Sequence, residues 1–290
     1  MSKSRRYNIL NFLVCLIIVS ACHKESTPIL DPPLNSGPTI LDQLSNNYTQ
    51  LPEQAIAISR DKRVYAQYTD PTERYNHRVM GDGVEGGQLV VVVDSVFYEL
   101  ELLDNYVFED IRPRLFDVDQ DGELEIITIR TEITQGAGIV IYKIRNNELQ
   151  EYAHVPEIGR SSRWLNIVVM NDLDEDGVVE LVWVQTPHIG GILKVAKIQP
   201  GELTVVDEIS QYSNHGYGER NLCLSVLTQQ NQEKVFFVPT QDRTKIVGFK
   251  YTDNAFQIVS EIDQGVDFSK TLEEQYSFSN LISIEDNCIF

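Results

Sequence analysis

The sequence predicts an all-β fold: a β-propeller of five blades, closed by pairing of its N- and C-terminal strands. Three observations predict it. Beyond residue 45, short β-rich runs separated by turn signals dominate the chain. These runs recur at a displacement of about 54 residues, within the repeat lengths typical of propeller blades. A nine-residue acidic pattern, with Asp at its first, third and fifth positions, Gly at the sixth and Glu at the ninth, occurs twice, at 117–125 and 172–180.

In chain order, Lys3, Arg5 and Arg6 form a basic start, and 9–21 is a mainly apolar run without charge. It is shorter than the roughly 20 residues that a membrane-spanning helix needs, and it reads as an export signal over 1–21. Residues 22–45 contain Pro28, Pro32, Pro33, Gly37 and Pro38 with no apolar period, the composition of a flexible tether. Residues 46–290 have apolar content for one core and no internal linker, so a single domain is expected.

Strands are expected at 125–130, 138–144, 149–155 and 164–170, again at 180–185, 192–198, 203–209 and 222–227, and a third time at 234–238, 246–250 and 256–262. Upstream, 88–94, 96–103 and 114–118 read as a shortened blade, and 55–59 with 63–68 as two strands of an incomplete one. The run at 281–285 has no partner nearby in sequence. Pairing it with the N-terminal strands would close the ring and remove an exposed sheet edge.

Charge excludes one class of partner. The chain has 43 acidic against 24 basic residues and a formal net charge of −19. Cleavage after residue 21 would remove three of the basic ones. Such a surface repels phosphate backbones, so no nucleic acid is expected. Ten of the acidic residues lie in the two repeated patterns.

Alternate carboxylates in a tight loop converge on one point and need a cation there. Calcium selects such hard oxygen ligands, and glycine at the sixth position permits a turn at positive φ. An EF-hand also requires Glu at the twelfth position and flanking helices. Here the twelfth residues are Thr128 and Trp183, and each loop runs into a strand. The loops instead resemble the calcium loops of FG-GAP/VCBS repeats, a β-propeller family. That resemblance implies two structural Ca²⁺ ions. One would be held by Asp117, Asp119, Asp121 and Glu125 with the carbonyl of Glu123, the other by Asp172, Asp174, Asp176 and Glu180 with the carbonyl of Val178. The third copy, 226–234, has almost no acidic ligand and is expected to be metal-free.

The run Val19-Ser20-Ala21-Cys22 resembles a bacterial lipobox. This implies cleavage before Cys22, acylation of its thiol and anchorage to a membrane of the cell envelope. His23 in place of Asp implies the outer membrane in a two-membrane cell. Cys223 and Cys288 either form a disulfide or remain as buried thiols.

Polar residues recur where one blade hands over to the next. His77, Arg160, His188 and His215 are expected to line a ligand pocket at one end of the propeller. The competing role for Asn-His before a Gly turn is to hydrogen-bond buried backbone. Two function classes follow. One is a non-catalytic envelope lipoprotein that binds a protein or glycan. The other is a carbohydrate-active hydrolase or lyase on the same scaffold. No nucleophile elbow, His-Cys zinc spacing or phosphate-cradling loop is present, which favours the first.

Overall fold

A computed structural model describes residues 37–230, 233–265, 267–275 and 281–282. The signal segment, Cys22, most of the tether and Cys288 lie outside the described residues. The chain divides into two compact units, 1–39 and 40–290. Residues 37–39 of the first are exposed and without regular structure.

The second unit opens with helix α1 (Ile40–Asn47), whose Leu44 is fully buried in one cluster with Val90 and Val92. Residues 40–45, expected to end the tether, therefore belong to the folded domain: an apolar helix face has a sheet to cover.

The first sheet runs β1 (Ala57–Ile58), β2 (Val64–Thr72), β3 (Glu85–Val93) and β4 (Val96–Glu101), each antiparallel to the one before. A short β5 (Tyr106–Phe108) pairs with β3 at Gly86 and also with β7, joining the first two sheets. The second comprises β6 (Arg114–Phe116), β7 (Glu125–Glu132), β8 (Gly136–Arg145) and β9 (Glu148–Val155). The third comprises β10 (Leu165–Asn171), β11 (Glu180–Gln185), β12 (Ile192–Gln199) and β13 (Glu202–Ser210). The fourth comprises β14 (Val226–Gln230), β15 (Glu233–Pro239), β16 (Lys245–Thr252) and β17 (Ala255–Asp263). Helix α2 (Phe268–Gln275) and β18 (Leu281–Ile282) follow. Four consecutive four-stranded antiparallel meanders of this kind are propeller blades.

Residue choice follows position in the blade. Middle strands are covered on both faces and are apolar along their length. Leu89–Val92 of β3 and Leu181–Val184 of β11 are fully buried. The outer strand β17 has exposed or half-buried residues throughout. Three hairpins between third and fourth strands turn on two residues at positive φ: Asp94-Ser95, Asn146-Asn147 and Asp253-Asn254. That conformation matches the twist of the flanking strands and fixes their register.

Three expectations are corrected. Four four-stranded blades stand among the described residues where five are expected. The C-terminal strand β18 pairs with β14, through Leu227↔Ile282 and Thr228↔Leu281, and not with the N-terminal strands. Helix α2 explains this. Its Phe268 and Leu272 are buried with Val235, Phe237 and Ile246, which returns the chain across the fourth blade. Finally, of the stretch aligned with the acidic loops, 226–230 form β14 and 233–234 open β15, paired with it in antiparallel register.

Candidate functional site

Each acidic loop is the hairpin joining the two innermost strands of a blade, β6 to β7 and β10 to β11. The two loops are built alike. Glycines 122 and 177 adopt φ of +91° and +86°, as the sixth position requires. In the first loop Asp117 accepts from the amides of Asp121 and Gly122 at 3.1 and 2.9 Å, and Asp121 from the amide of Glu123 at 3.0 Å. In the second, Asp172 accepts from Gly177 at 3.0 Å, Asp174 from Asp176 at 3.3 Å and Asp176 from Val178 at 2.9 Å. Glu125 and Glu180 are fully buried, and one oxygen of each accepts an amide, from Val118 at 2.8 Å and from Leu173 at 2.7 Å. Gln120 of the first loop donates to the Gly177 carbonyl of the second at 3.1 Å, so the two hairpins are neighbours.

The structure brings ligand atoms of Asp117, Asp119 and Glu125 within 4.8 Å of one another, and likewise those of Asp172, Asp174 and Glu180. Asp121 and Asp176 stand just outside these triads. Their carboxylates are engaged first by the Lys143 and Lys197 ammonium groups and then by the Glu123 and Val178 amides, which hold both pKa values below the usual range. The donor set is entirely hard oxygen. In the second loop the buried Oε1 of Glu180 and the Oδ1 of Asp172 have no hydrogen-bond partner, while Oε1 of Glu125 in the first faces a lysine ammonium. Orphaned carboxylate oxygens beside converging carboxylates fit a Ca²⁺ ion. Burial pushes Glu180 up to about 7, the mark of a carboxylate short of positive charge.

One partner was not anticipated. The ammonium of Lys143 on β8 stands 2.7 Å from Asp119, 2.7 Å from Asp121 and 2.8 Å from Glu125. Lys197 on β12, one repeat length later, contacts Asp176 and stands 3.4 Å from Asp174 and 3.7 Å from Glu180. Burial works to lower both lysine pKa values, but the carboxylate hydrogen bonds outweigh it and the net shift is upward. The signal was present in the sequence as two lysines sharing the period of the loops.

The second candidate site is a cavity of about 320 Å³ lined by His77, Arg163, Trp164, Thr186, His188 and Tyr217, together with Ser162 and Ile189. Four connecting segments supply these residues: β2–β3, β9–β10, β11–β12 and β13–β14. None of the lining residues is acidic. His77 Nδ1 is bonded at 2.6 Å to Glu109, which is fully buried and also accepts from the Thr131 hydroxyl at 2.6 Å. Burial raises the Glu109 pKa, partly offset by His77. The Tyr217 hydroxyl donates to the His77 carbonyl at 3.2 Å, and the Trp164 indole N–H to the Glu109 carbonyl at 2.9 Å.

His188 and His215 form a relay. His215 Nε2 lies 2.8 Å from the Glu219 carbonyl, which can only accept, so that nitrogen carries the proton. His215 Nδ1 is then an acceptor, and His188 Nε2, 2.8 Å away, donates to it. Nδ1 of His188 is left as a bare lone pair. Burial lowers His188 to about 3 and His215 to about 4, so both are neutral at pH 7. His188 stacks on Trp164 at 6.1 Å and meets Tyr217 edge-on at 5.4 Å.

Of the four residues expected to share a pocket, His77 and His188 line it and His215 lies directly behind. Arg160 does not. It is exposed, and its amide is bound to the Gln135 carbonyl at 2.7 Å, while Arg163 takes the lining position. The backbone-bonding role is also filled at 214–215: the Asn214 amide donates to the Ile167 carbonyl at 3.1 Å, and His215 to the Glu219 carbonyl as above. Cys223 is disulfide-bonded, and its partner lies outside the described residues.

The fold and site define an all-β protein of propeller type carrying two acidic hairpins and one histidine-lined cavity. No family model and no curated protein matches the chain. Among solved structures it is similar to a structural-genomics protein from Lactobacillus plantarum, at 14% identity over 73% of this chain and 56% of that one, TM-score 0.42. It is similar to the WD40 domain of SCAP from fission yeast, at 13% identity over 75% and 42%, TM-score 0.41. A third is the exotype rhamnogalacturonan lyase YesX, at 12% identity over 74% and 51%, TM-score 0.38. The chain spans about half the length of these structures.

Proposed function

We propose that this chain is an exported, lipid-anchored propeller of the FG-GAP/VCBS type, stabilised by two calcium ions, that binds a small polar ligand without transforming it. The observation that carries the reading is the convergence of His77, Arg163, His188 and Tyr217, from four connecting segments, on one cavity without a lining carboxylate. A glycosidase of the usual kind needs two carboxyl groups flanking the bond it breaks. Among the described residues the carboxylate nearest this cavity by bonding, Glu109, is sealed behind His77. The acidic hairpins serve as fasteners between inner strands, and Cys22 in its lipobox context supplies the anchor to the envelope membrane.

The test pairs binding with turnover. The full-length chain is presented with mono- and oligosaccharides, and binding is followed by tryptophan fluorescence while products are followed by chromatography. Binding lost in Tyr217→Ala, with no product formed, is the expected result. Products that require His77 would instead establish the second reading, a hydrolase or lyase. The observation favouring it is the His77–Glu109 pair, which has the geometry of a general base held by a carboxylate. Cys22→Ala is expected to abolish acylation, read by mass spectrometry.

A further inference from the structure

The cavity has a definite pattern of donors and acceptors, and that pattern selects a ligand class. The hydrogen bonds traced above leave Nδ1 of His188 as an unprotonated acceptor. His77 donates from Nδ1 to the Glu109 carboxylate, so in its neutral form its remaining nitrogen, Nε2, is also an acceptor. Two imidazole lone pairs ask for two O–H donors, as neighbouring hydroxyls would supply.

Against these stands one strong donor. The Arg163 guanidinium bonds the Ser162 carbonyl at 2.7 Å and, among the described residues, pairs with no carboxylate. Arg243, half-buried near the two histidines, donates to the Ser213 hydroxyl at 3.3 Å and adds positive potential behind the cavity floor. Glu109 and Glu219 are the nearby acids, the first held by His77 and Thr131, the second adjoining Arg243. In a chain of net charge −19, a cavity lined by one arginine, two histidines and no acid is a local inversion of sign. An arginine fork not paired with an acid matches a carboxylate.

The walls complete the description. Tyr217 is 63% exposed at the mouth and stands edge-on to His188, while Trp164 lies beneath. An exposed aromatic face beside hydroxyl acceptors suits the apolar face of a pyranose ring. The volume of about 320 Å³ lies at the small end of ligand cavities and holds one such ring with its water.

We infer that the cavity binds a sugar acid, a pyranose ring bearing a carboxylate. The carboxylate pairs with Arg163, two ring hydroxyls donate to His188 Nδ1 and His77 Nε2, and the ring rests against Tyr217. This rests on the reading of the cavity as a ligand site and sharpens it to one chemical class.

The experiment titrates the full-length chain with glucuronate, galacturonate, the corresponding neutral sugars and benzoate, by saturation-transfer NMR and calorimetry. At least one uronate is expected to bind about tenfold or more tightly than its neutral sugar. Arg163→Met is expected to erase that difference, and His188→Phe to weaken uronate and neutral sugar alike. Both variants are checked for folding by their melts, and Arg163→Lys is expected to retain part of the preference. Neutral sugars binding as well as uronates, or benzoate binding as well as either, would overturn the sugar-acid assignment and leave the cavity reading standing. Binding of a uronate unaffected by Tyr217→Ala would place it elsewhere and overturn both. Failure of every probe to bind overturns the sugar-acid assignment, and the wider saccharide screen then decides the cavity reading by itself.

Discussion

The ammonium of Lys143 lies 2.8 Å from Oε1 of the fully buried Glu125, at the point where the first hairpin's carboxylates converge. Lys197 repeats the arrangement beside Glu180 at 3.7 Å. Each loop thus has a counter-charge supplied by its own blade, and calcium would have to displace it. Lys143→Met and Lys197→Met are therefore expected to act in two directions. Without metal, each variant leaves several carboxylates uncompensated and loses about 2 kcal/mol. With metal, each binds calcium more tightly, by about an order of magnitude from a starting Kd of about 10⁻⁴–10⁻³ M. Calorimetry together with melts in chelator checks both signs. Unchanged calcium affinity in the two variants would show that the lysines do not compete for the site.

Calcium itself is expected to raise the melting temperature. At about 1 mM metal, two sites of such affinity add about 1–3 kcal/mol, or about 2–10 °C for a domain of this size. Asp174→Ala, which removes one of the converging ligands in the second loop, is expected to abolish about half or more of the rise. Coincident melts in chelator and in millimolar calcium would remove the fastener role from both hairpins.

A third expectation concerns the entry to β12. A side-chain carbon at Gly191 would overlap the carbonyl oxygen of Tyr212, a backbone atom, and would also meet the side-chain amide oxygen of Gln241. The Gly191 carbonyl accepts from the amides of Gln211 and Tyr212 at 2.8 and 3.1 Å, and its amide donates to Thr186 at 3.2 Å. Gly191→Ala must push two strands apart or break this set, at about 2–4 kcal/mol. Since Thr186 and His188 share the same turn, the variant should also lose ligand binding. A denaturant titration showing less than about 0.5 kcal/mol of loss would contradict the packing described.

How far the sequence disclosed all this depends on the range of the forces involved. The acidic hairpins were legible because their chemistry is local: nine consecutive residues supply the carboxylates, the positive-φ glycine and the entering strand. The middle strands were legible because burial on both faces leaves a continuous apolar run, as in Leu181–Val184. The cavity was half legible. His77, His188 and His215 could be singled out as polar residues at blade junctions, but choosing between Arg160 and Arg163 required the path of one loop. Ser162 at φ +55° and Gly159 at φ +93° turn that loop so that Arg163 reaches the cavity. Non-local pairings were not legible. Nothing in the residues of β5 states that it bridges two sheets, and nothing in 281–282 distinguishes β14 from β1 as a partner. Both choices are made by what the rest of the fold leaves open.

The histidine relay yields a prediction in pH. His188 and His215, lowered to about 3 and about 4 by burial, stay neutral in the folded state where unfolded histidine, with an ordinary value of 6.5, takes up a proton. Between about pH 6.5 and 4 the unfolded chain therefore binds more protons, and stability falls as pH falls. The slope is up to about 1.4 kcal/mol per pH unit for each histidine. Glu85 and Glu109 oppose this. Burial raises both, so the folded state retains their protons where the unfolded chain has lost them, and their share of stability grows as pH drops. The sign of the total is thus a contest, but the histidine share is isolated by difference. His188→Phe keeps an aromatic ring against Trp164 and removes one titrating group. It also takes the donor from His215 Nδ1, which frees that ring to protonate in the folded state. Between pH 6.5 and 4.5 the variant's stability is expected to fall less steeply with decreasing pH than that of the unsubstituted chain, by about one proton's worth of slope or more. Urea titrations across that interval measure both slopes, and parallel lines would mean that the relay is already protonated in the folded protein.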